Sequence, residues 1–560
     1  MISLERSTPV ARKRLAVRVL AAFAALAFLI GLIVGAVTPS GPERVTKDFA
    51  SAWERSDYAR MYSLLTPGAK KRVSATAFRA AYDTAANTAT AAGIGTDKVK
   101  GDGDGGRFEV TFHTRIFGVV RGTVRVPVVD DHVDWGPNLV FPGLRPGATL
   151  TRRTQAPRRA AILSRSGRTI VSGPATARVT NPSNPASSIV GTVAPPTNPA
   201  DSARLYGRGF PLGTPVGTTG LERVLEPQIA GRPGGELLAG GKRVAASAPQ
   251  RAHAVRSSID LRIQAAAVQA LAGRFGGIAA LDPGTGRIRA LAGVAFSAPQ
   301  PPGSTFKMIT ATAALDAKAV KTSSSFPVET HAVIDGVNLE NANGESCGGT
   351  FANSFAESCN SVFAPLGVKI GAKRLVEAAE RFGFNETPSP PGAAPSSLPP
   401  AAAIDSPLAV GSTAIGQGKV LATPLEMAVV ADTIGSHGIR HRPTLLESGG
   451  KSAGIKVTSK RTARTVAKLM IGVVQHGTGT AAAIPGVTVA GKTGTAELGS
   501  TVGPTGAQTA SDTDAWFAAF APVRKPRIAV GALFVKAGAG GQTAAPAARS
   551  VLLAGLSAKR

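Results

Sequence analysis

Pro301-Pro302-Gly303-Ser304-Thr305-Phe306-Lys307, running on into the apolar stretch Met308 to Leu315, decides how this chain is read. The prolines and glycine close a loop and the stretch after them has helical character, so Ser304 falls in the first helical turn. A spacing of i and i+3 places its hydroxyl and the Lys307 amine on one face. A serine hydroxyl is a poor nucleophile until a neighbouring base takes its proton. A lysine serves as that base only where desolvation or a second cation lowers its pKa, and an apolar helix inside a large domain supplies the desolvation. Alone the pattern is weak, since Ser three before Lys is commonly a solvated helix start.

Two further motifs follow. In Ser358-Cys359-Asn360 a hydroxyl and a carboxamide two residues apart enter one cleft if the segment is a tight turn. The serine can then relay a proton and the asparagine can bind a substrate amide; a helix cap before Val362 to Leu366 is the plainer alternative. Lys492-Thr493-Gly494-Thr495 comes after the apolar Val487 to Ala490 and reads as a strand edge, with Gly494 admitting a substrate backbone. Lys492 supplies positive charge, Thr493 and Thr495 can hold a carboxylate, and the Thr495 and Ser304 amides can form an oxyanion hole. The alternative is a glycine turn in a hairpin.

Together the three resemble the S-x-x-K, S-x-N and K-T-G set of penicillin-binding proteins and related serine β-lactamases, in the same order. Ser258 to Gln264, Ala279 to Gly286, Ile415-Gly416-Gln417-Gly418 and Thr423-Pro424-Leu425 are similar to stretches of the family's transpeptidase domain. Arg158 to Gly167 and Gly220-Leu221-Glu222 resemble the preceding dimerisation-type domain, and 42–145 resembles the nuclear-transport-factor-like domain of one subgroup. The link from Gly293 to Pro301 is shorter than in most relatives. The resemblance implies a class B penicillin-binding protein: a peptidoglycan D,D-transpeptidase that needs no cofactor and no metal. It implies Ser304 as nucleophile, Lys307 as general base, Ser358 as proton relay, Asn360 as substrate ligand and Lys492 as electrostatic anchor. Thr493, Gly494 and Thr495 would bind substrate. Stem peptides and β-lactams are the implied ligands, and a glycosyltransferase or a cell-wall synthesis complex the implied protein partner.

The N-terminus bears on the compartment. Val19 to Val37 is a run of 19 uncharged residues preceded by Arg12, Lys13, Arg14 and Arg18. Its length suits a bilayer crossing and its flank places residues 1–18 in the cytoplasm, with all that follows outside. A cleaved signal peptide ending near Val34-Gly35-Ala36 competes; its apolar stretch is usually shorter, ~7–15 residues, which favours a retained anchor. An exported chain makes little of nucleic acid, so the formal charge of +28 argues for no nucleic-acid partner, and 5% aromatic residues argue against a base-stacking platform.

The expected architecture is α+β and multidomain: a transmembrane helix at 19–37, a small α+β cone domain at 42–145, a β-rich dimerisation-type domain at 146–257 and the transpeptidase domain at 258–560. Val45, Phe49, Trp53, Tyr58, Met61 and Leu65 recur at helical spacing, and a second helix is expected over Ala75 to Ala91. The period then drops to two through Phe108, Val110 and Phe112 and again through Val124, Val126 and Val128, with Asp130-Asp131-His132 as a hairpin turn. Asn181 to Pro199 and Phe384 to Pro407 read as surface loops. Gly277 to Leu281 and Ile288 to Leu291 read as paired strands joined by Pro283 to Gly286. For the last domain the family implies an antiparallel sheet with helices on both faces plus a helical subdomain.

Two cysteines, Cys347 and Cys359, exclude a disulfide-dense scaffold. Outside the cell they can pair; two buried free thiols are an equal alternative, because sequence carries no distance. His437 and His441 lack the glutamate of a zinc helix, and all seven histidines read as structural. Two other functions compete: a serine β-lactamase or carboxypeptidase, which would use water as second nucleophile, and a non-enzymatic wall scaffold or sensor with an inert site.

Overall fold

A computed structural model of the chain describes residues 41–448, 453–498 and 513–558. The expected tail and anchor, 1–18 and 19–37, lie outside these residues. Among the described residues no helix is long and apolar enough to cross a membrane. The chain forms two compact units. One comprises 41–157, 197–214 and 232–250 of the described residues, and the other 158–196, 215–231 and the described residues from 251 onward. The stretch 146–257 is thus shared between them.

The first unit opens with helix α1 (Gly41–Glu54), whose Val45, Phe49, Ala52 and Trp53 are buried at the spacing that marks a single apolar face. Helices α2 (Tyr58–Ser63), α3 (Pro67–Arg72) and α4 (Ala75–Ala89) follow, each started by a side-chain cap from Asp57, Thr66 or Ser74. The strands β1 (Ala91–Thr96), β2 (Lys100–Asp102), β3 (Gly105–Thr114), β4 (Val119–Val129) and β5 (His132–Val133) form an antiparallel sheet, ordered β1-β3-β4-β5 with β2 beside β3. Phe108, Val110 and Phe112 of β3 and Val124, Val126 and Val128 of β4 point inward, as a period of two requires. Trp53 sits edge-on to Tyr82, Phe108 and Phe112, and the Trp135 indole N–H donates to the Tyr82 hydroxyl at 3.1 Å. Asp130 and Asp131 both hold positive φ, +49° and +55°, which a two-residue type I′ hairpin demands. A second sheet, β6 (Leu150–Gln155), β7 (Gly234–Ala239) and β8 (Lys242–Ser247), belongs to this unit, and helix α5 (Pro199–Gly207) lies within it too.

The second unit is built on five antiparallel strands, β9 (Gly276–Asp282), β10 (Arg287–Gly293), β11 (Ala490–Glu497), β12 (Thr513–Ala521) and β13 (Ile528–Phe534), ordered β10-β9-β13-β12-β11. Nearly every position is buried because both faces are covered. Ile278, Ala280, Phe517 and Ala519 pack with α6 (Leu261–Leu271) and α12 (Gly540–Ser557). The alternate residues Ala279, Leu281, Trp516 and Phe520 pack with α10 (Pro424–Gly435). A helical part carries α7 (Lys307–Asp316), α8 (Phe351–Ala356), α9 (Asn360–Ile370) and α11 (Lys460–Gln475). In the same unit Glu222 receives Arg159 at 2.7 Å and Arg178 at 2.6 Å, a buried ion network whose charges are compensated where they stand.

One expectation is corrected. Phe384 to Pro407 is irregular but not an exposed loop: Phe384, Ser396, Leu398 and Ile404 are buried, and the Phe384 ring meets that of Phe306 edge-on at 5.6 Å. Asn181 to Pro199 is largely exposed, as expected of a surface loop, and is fastened by the buried Ala186, Ile189 and Val190 and by the pairing of Val193–Ala194 with Val216–Gly217. A few apolar residues among prolines anchor a segment that composition alone describes as surface.

The approach of α10 to the sheet requires Gly531: a Cβ there would lie 2.1 Å from the Pro424 carbonyl oxygen and 2.7 Å from the Ala428 nitrogen. Gly531→Ala is expected to destabilise the second unit by about 1–3 kcal/mol, measured by chemical denaturation; an unchanged midpoint would contradict the packing.

Candidate active site

Residues Gly303–Phe306 form one 3₁₀ turn that continues directly into α7, so Ser304 stands one turn before Lys307 on a continuous helical path. Residues Lys307 to Ala314 are buried without exception, which strips the Lys307 amine of water. Its Nζ donates to the Ser358 carbonyl oxygen at 2.6 Å, to Asn360 Oδ1 at 2.6 Å and to Ser358 Oγ at 3.4 Å. Ser358 lies in the short link between α8 and α9 with φ +67°, a strained value for a residue with a Cβ. That turn presents both its hydroxyl and its carbonyl oxygen to the lysine. Asn360 begins α9, and its Nδ2 donates to the Glu340 carbonyl oxygen at 2.6 Å, which leaves Oδ1 facing Lys307. The tight turn is present; the segment does lead into a helix, but the residue at its N-cap, Cys359, makes no side-chain capping bond, so the cap alternative is not met.

Lys492 arrives from the other side on β11, an edge strand of the sheet. Its Nζ donates to Ser358 Oγ at 2.8 Å and to the Thr493 carbonyl oxygen at 3.0 Å. Two fully buried amines therefore share one serine hydroxyl. Burial lowers the Lys492 pKa to about 7, with the Glu357 carboxylate opposing the shift. Burial, reinforced by the Lys492 charge, holds Lys307 well below the ordinary lysine value. The rings of Phe363 and Phe355 lie 5.5 Å from the Lys307 Nζ and 5.7 Å from the Lys492 Nζ.

The strand and the serine turn are in van der Waals contact along their backbones. A Cβ on Gly303, which has φ +51°, would lie 2.7 Å from the Thr495 carbonyl oxygen, and one on Gly494 would lie 2.7 Å from the Pro302 carbonyl oxygen. Only glycine allows this approach, which brings Ser304 and Thr495, both half-buried and reachable, to one place. Gly540 N–H, the first of α12, donates to Thr495 Oγ1 at 3.4 Å, so the positive end of an 18-residue helix faces the same strand. Such a helix end favours an anion.

All the residues singled out from sequence thus gather in one part of the second unit: Ser304, Lys307, Ser358, Asn360, Lys492, Thr493, Gly494 and Thr495. Sequence reasoning missed three others. Thr478 exchanges a short hydrogen bond with the Thr493 hydroxyl and its N–H donates to the Ala356 carbonyl at 3.2 Å, coupling β11 to the end of α8. Gly540 and Glu357 act through a helix terminus and through charge, neither of which leaves a short motif. Among the described residues no cluster suited to a metal ion occurs.

A penicillin-binding protein transpeptidase domain model matches residues 276–553, and an NTF2-like N-terminal transpeptidase domain model matches residues 41–148. The chain belongs to the class B penicillin-binding proteins. The peptidoglycan D,D-transpeptidase PbpA of Mycobacterium tuberculosis is 38% identical over 289 residues, 47% of this chain and 56% of the relative. PbpA of Mycolicibacterium smegmatis is 38% identical over 287 residues, again 47% and 56%. This penicillin-binding protein therefore aligns with little more than half the length of those relatives. Among solved structures, that of M. tuberculosis PBPA superposes with a TM-score of 0.56 at 27% identity, covering 71% of this chain and 99% of that one. The D,D-transpeptidase domain of a peptidoglycan glycosyltransferase from Eggerthella lenta gives 0.58 at 27%, covering 72% and 99%.

Cys347 and Cys359 form a disulfide with a Cα–Cα distance of 5.4 Å, which ties the strand Cys347–Thr350 to the middle of the second motif. Thiol titration of the denatured, unreduced protein is expected to find no reactive thiol, and two after reduction. Two thiols before reduction would remove the bond.

Proposed function

We propose that this protein is a peptidoglycan D,D-transpeptidase acting through a serine acyl-enzyme. The observation that carries the reading is the Ser358 hydroxyl held between the buried Lys307 and Lys492 amines, beside a reachable Ser304. The Ser304 Oγ attacks the carbonyl of a penultimate D-Ala while its proton passes to the Lys307 Nζ. The amides of Ser304 and Thr495 receive the oxyanion. Collapse breaks the C–N bond to the terminal D-Ala, whose amine takes a proton relayed through Ser358 Oγ. The amine of a second stem peptide then attacks the ester, forms the cross-link amide and returns the proton to Ser304. Asn360 orients the donor peptide backbone, and Lys492, Thr493 and Thr495 hold its terminal carboxylate.

A β-lactam presents a similar acyl group and carboxylate and acylates the same serine; the ceftriaxone and penicillin G acyl-enzyme complexes of M. tuberculosis penicillin-binding protein A support this. The reading extends to a single-pass anchor at 19–37, with the cytoplasmic residues 1–18 before it and the catalytic domain outside the plasma membrane. A glycosyltransferase within a cell-wall synthesis complex would supply the glycan strands. In the same reading 42–145, 146–257 and 258–560 are the functional domains.

Fluorescent penicillin is expected to label the wild type and to leave Ser304→Ala unlabelled; equal labelling of both would remove Ser304 from the chemistry. The acylation rate against pH tests the base. Lys307 acts only when unprotonated, so the rate falls as pH drops through its pKa. Lys492→Ala removes the cation that helps hold this pKa down, so the acid limb is expected to move to higher pH, with a lower plateau. A limb that stays in place or moves to lower pH would contradict the assignment of Lys307 as base.

A further inference from the structure

The first unit holds a cavity of about 440 Å³ lined by Asn87, Arg115, Ala203, Arg204, Gly207 and Arg208. Three of its six lining residues are arginines, and two more are bonded to main-chain oxygens of or beside the lining residues. Arg152 donates to the carbonyl oxygens of Asn87 and Thr88 at 3.1 and 3.2 Å and to that of Tyr206 at 2.6 Å, with its guanidinium 3.9 Å over the Tyr206 ring. Arg232 donates to the Arg115 carbonyl oxygen at 2.7 Å.

The partners of these arginines are informative. Arg204 has a carboxylate, Asp201, at 2.9 Å. Arg115 donates to the Ala91 carbonyl oxygen, Arg208 lies over the Phe210 ring, and Arg152 and Arg232 rest on main-chain oxygens. Among the described residues none of these four is in an ion pair. A carbonyl or a ring orients a guanidinium without neutralising it, so four like charges are held in neighbouring positions uncompensated. Arg152 is also partly stripped of water, and its Nε–H is buried without an acceptor. Folding does not otherwise favour such a concentration of one sign, and the complement is an anion.

The number of guanidinium groups bears on which anion. Each offers a planar fork of donors. A carboxylate has two oxygens and fills one fork, whereas a phosphate has more oxygens and can bridge several forks at once. The volume exceeds that of a bare phosphate and admits a polyol or sugar attached to it. We propose that this cleft is a binding site for a phosphate ester, supplied either by an anionic lipid headgroup or by a soluble phosphate-bearing wall polymer. The guanidinium groups of Arg115 and Arg208 take the phosphate oxygens, and Asn87 meets the attached polyol.

The test uses the full chain and two probes. Glycerol 3-phosphate binding is measured by calorimetry at low and at physiological salt. Co-sedimentation compares vesicles of phosphatidylcholine with vesicles containing phosphatidylglycerol. Arg208→Gln, and the pair Arg115→Gln with Arg208→Gln, are expected to weaken binding tenfold or more, with salt doing the same to the wild type. Arg243→Gln, an exposed arginine of the same unit paired with Glu236, serves as control and is expected to bind as the wild type. Penicillin labelling reports on the separate catalytic reading and is expected to be unchanged in all three. Loss of glycerol 3-phosphate binding alone assigns the soluble source, and loss of phosphatidylglycerol-dependent sedimentation assigns the lipid; either supports the site. Binding of both probes by the double variant as by the wild type would overturn it. So would an equal loss in Arg243→Gln, which would mean diffuse charge, or acetate competing as well as phosphate. Arg208 is held only by a ring, so its single variant keeps the test open should the Arg115 change unfold the unit.

Discussion

One hydroxyl shared by two buried lysine amines sets the terms for the rest of the catalytic unit. Taking a lysine amine out of water is costly, and two such amines on one oxygen also repel each other. The protein meets that cost with the Ser358 carbonyl, the Asn360 amide oxygen, the Thr493 carbonyl and two aromatic faces, and with a lowered proton affinity at both nitrogens. The same burial that destabilises the charged form makes Lys307 available as a base at a lower pH than an exposed lysine. Strain at Ser358 belongs to the same arrangement, since an unstrained link between α8 and α9 would not offer two oxygens in one direction.

Those amines come from elements with no local connection. Lys307 rides on a buried helix, and Lys492 on the outermost strand of a sheet whose other strands lie almost wholly inside. Among the described residues, an edge position leaves one side of β11 without a neighbouring strand. A strand edge of this kind is one to which an extended peptide can add. Gly303 and Gly494 remove the two side chains that would hold the serine turn away from the strand, and Thr478 fastens the strand to the end of α8. The reactive geometry is thus a consequence of packing among backbone segments, not of long side chains reaching across a cleft.

The first unit solves a different problem. Its core is aromatic, assembled from Trp53, Tyr82, Phe108, Phe112 and Trp135, while its surface gathers guanidinium groups that the protein's own carboxylates do not balance. In a chain with a formal charge of +28 an excess of arginine is expected everywhere. Arginines ordered on carbonyl oxygens around a cavity are another matter, because orienting a long side chain costs entropy that a merely solubilising charge need not give up.

Much of this could be read from the amino-acid order alone. Helical periodicity through Val45, Phe49 and Trp53, alternation through Phe108, Val110 and Phe112, and the three short motifs each reflect a constraint acting over a few residues. The motifs name the groups that must meet, and the aspartates at 130 and 131 name a hairpin. Residues 384–407 depart from their exposed-loop reading because proline-rich composition describes backbone preference, while burial depends on the few apolar side chains that find a core. Cys347 and Cys359 stayed open for a related reason: pairing depends on a distance. Thr478, Gly540 and Glu357 carry no local signature at all, since each acts through an element that only folding brings near. Local chemistry is written in sequence because propensity and periodicity are short-ranged. Proximity, desolvation and the sharing of one hydroxyl by two amines arise from contacts between residues far apart in the chain, 134 positions for Ser358 and Lys492, and they exist only in the tertiary structure.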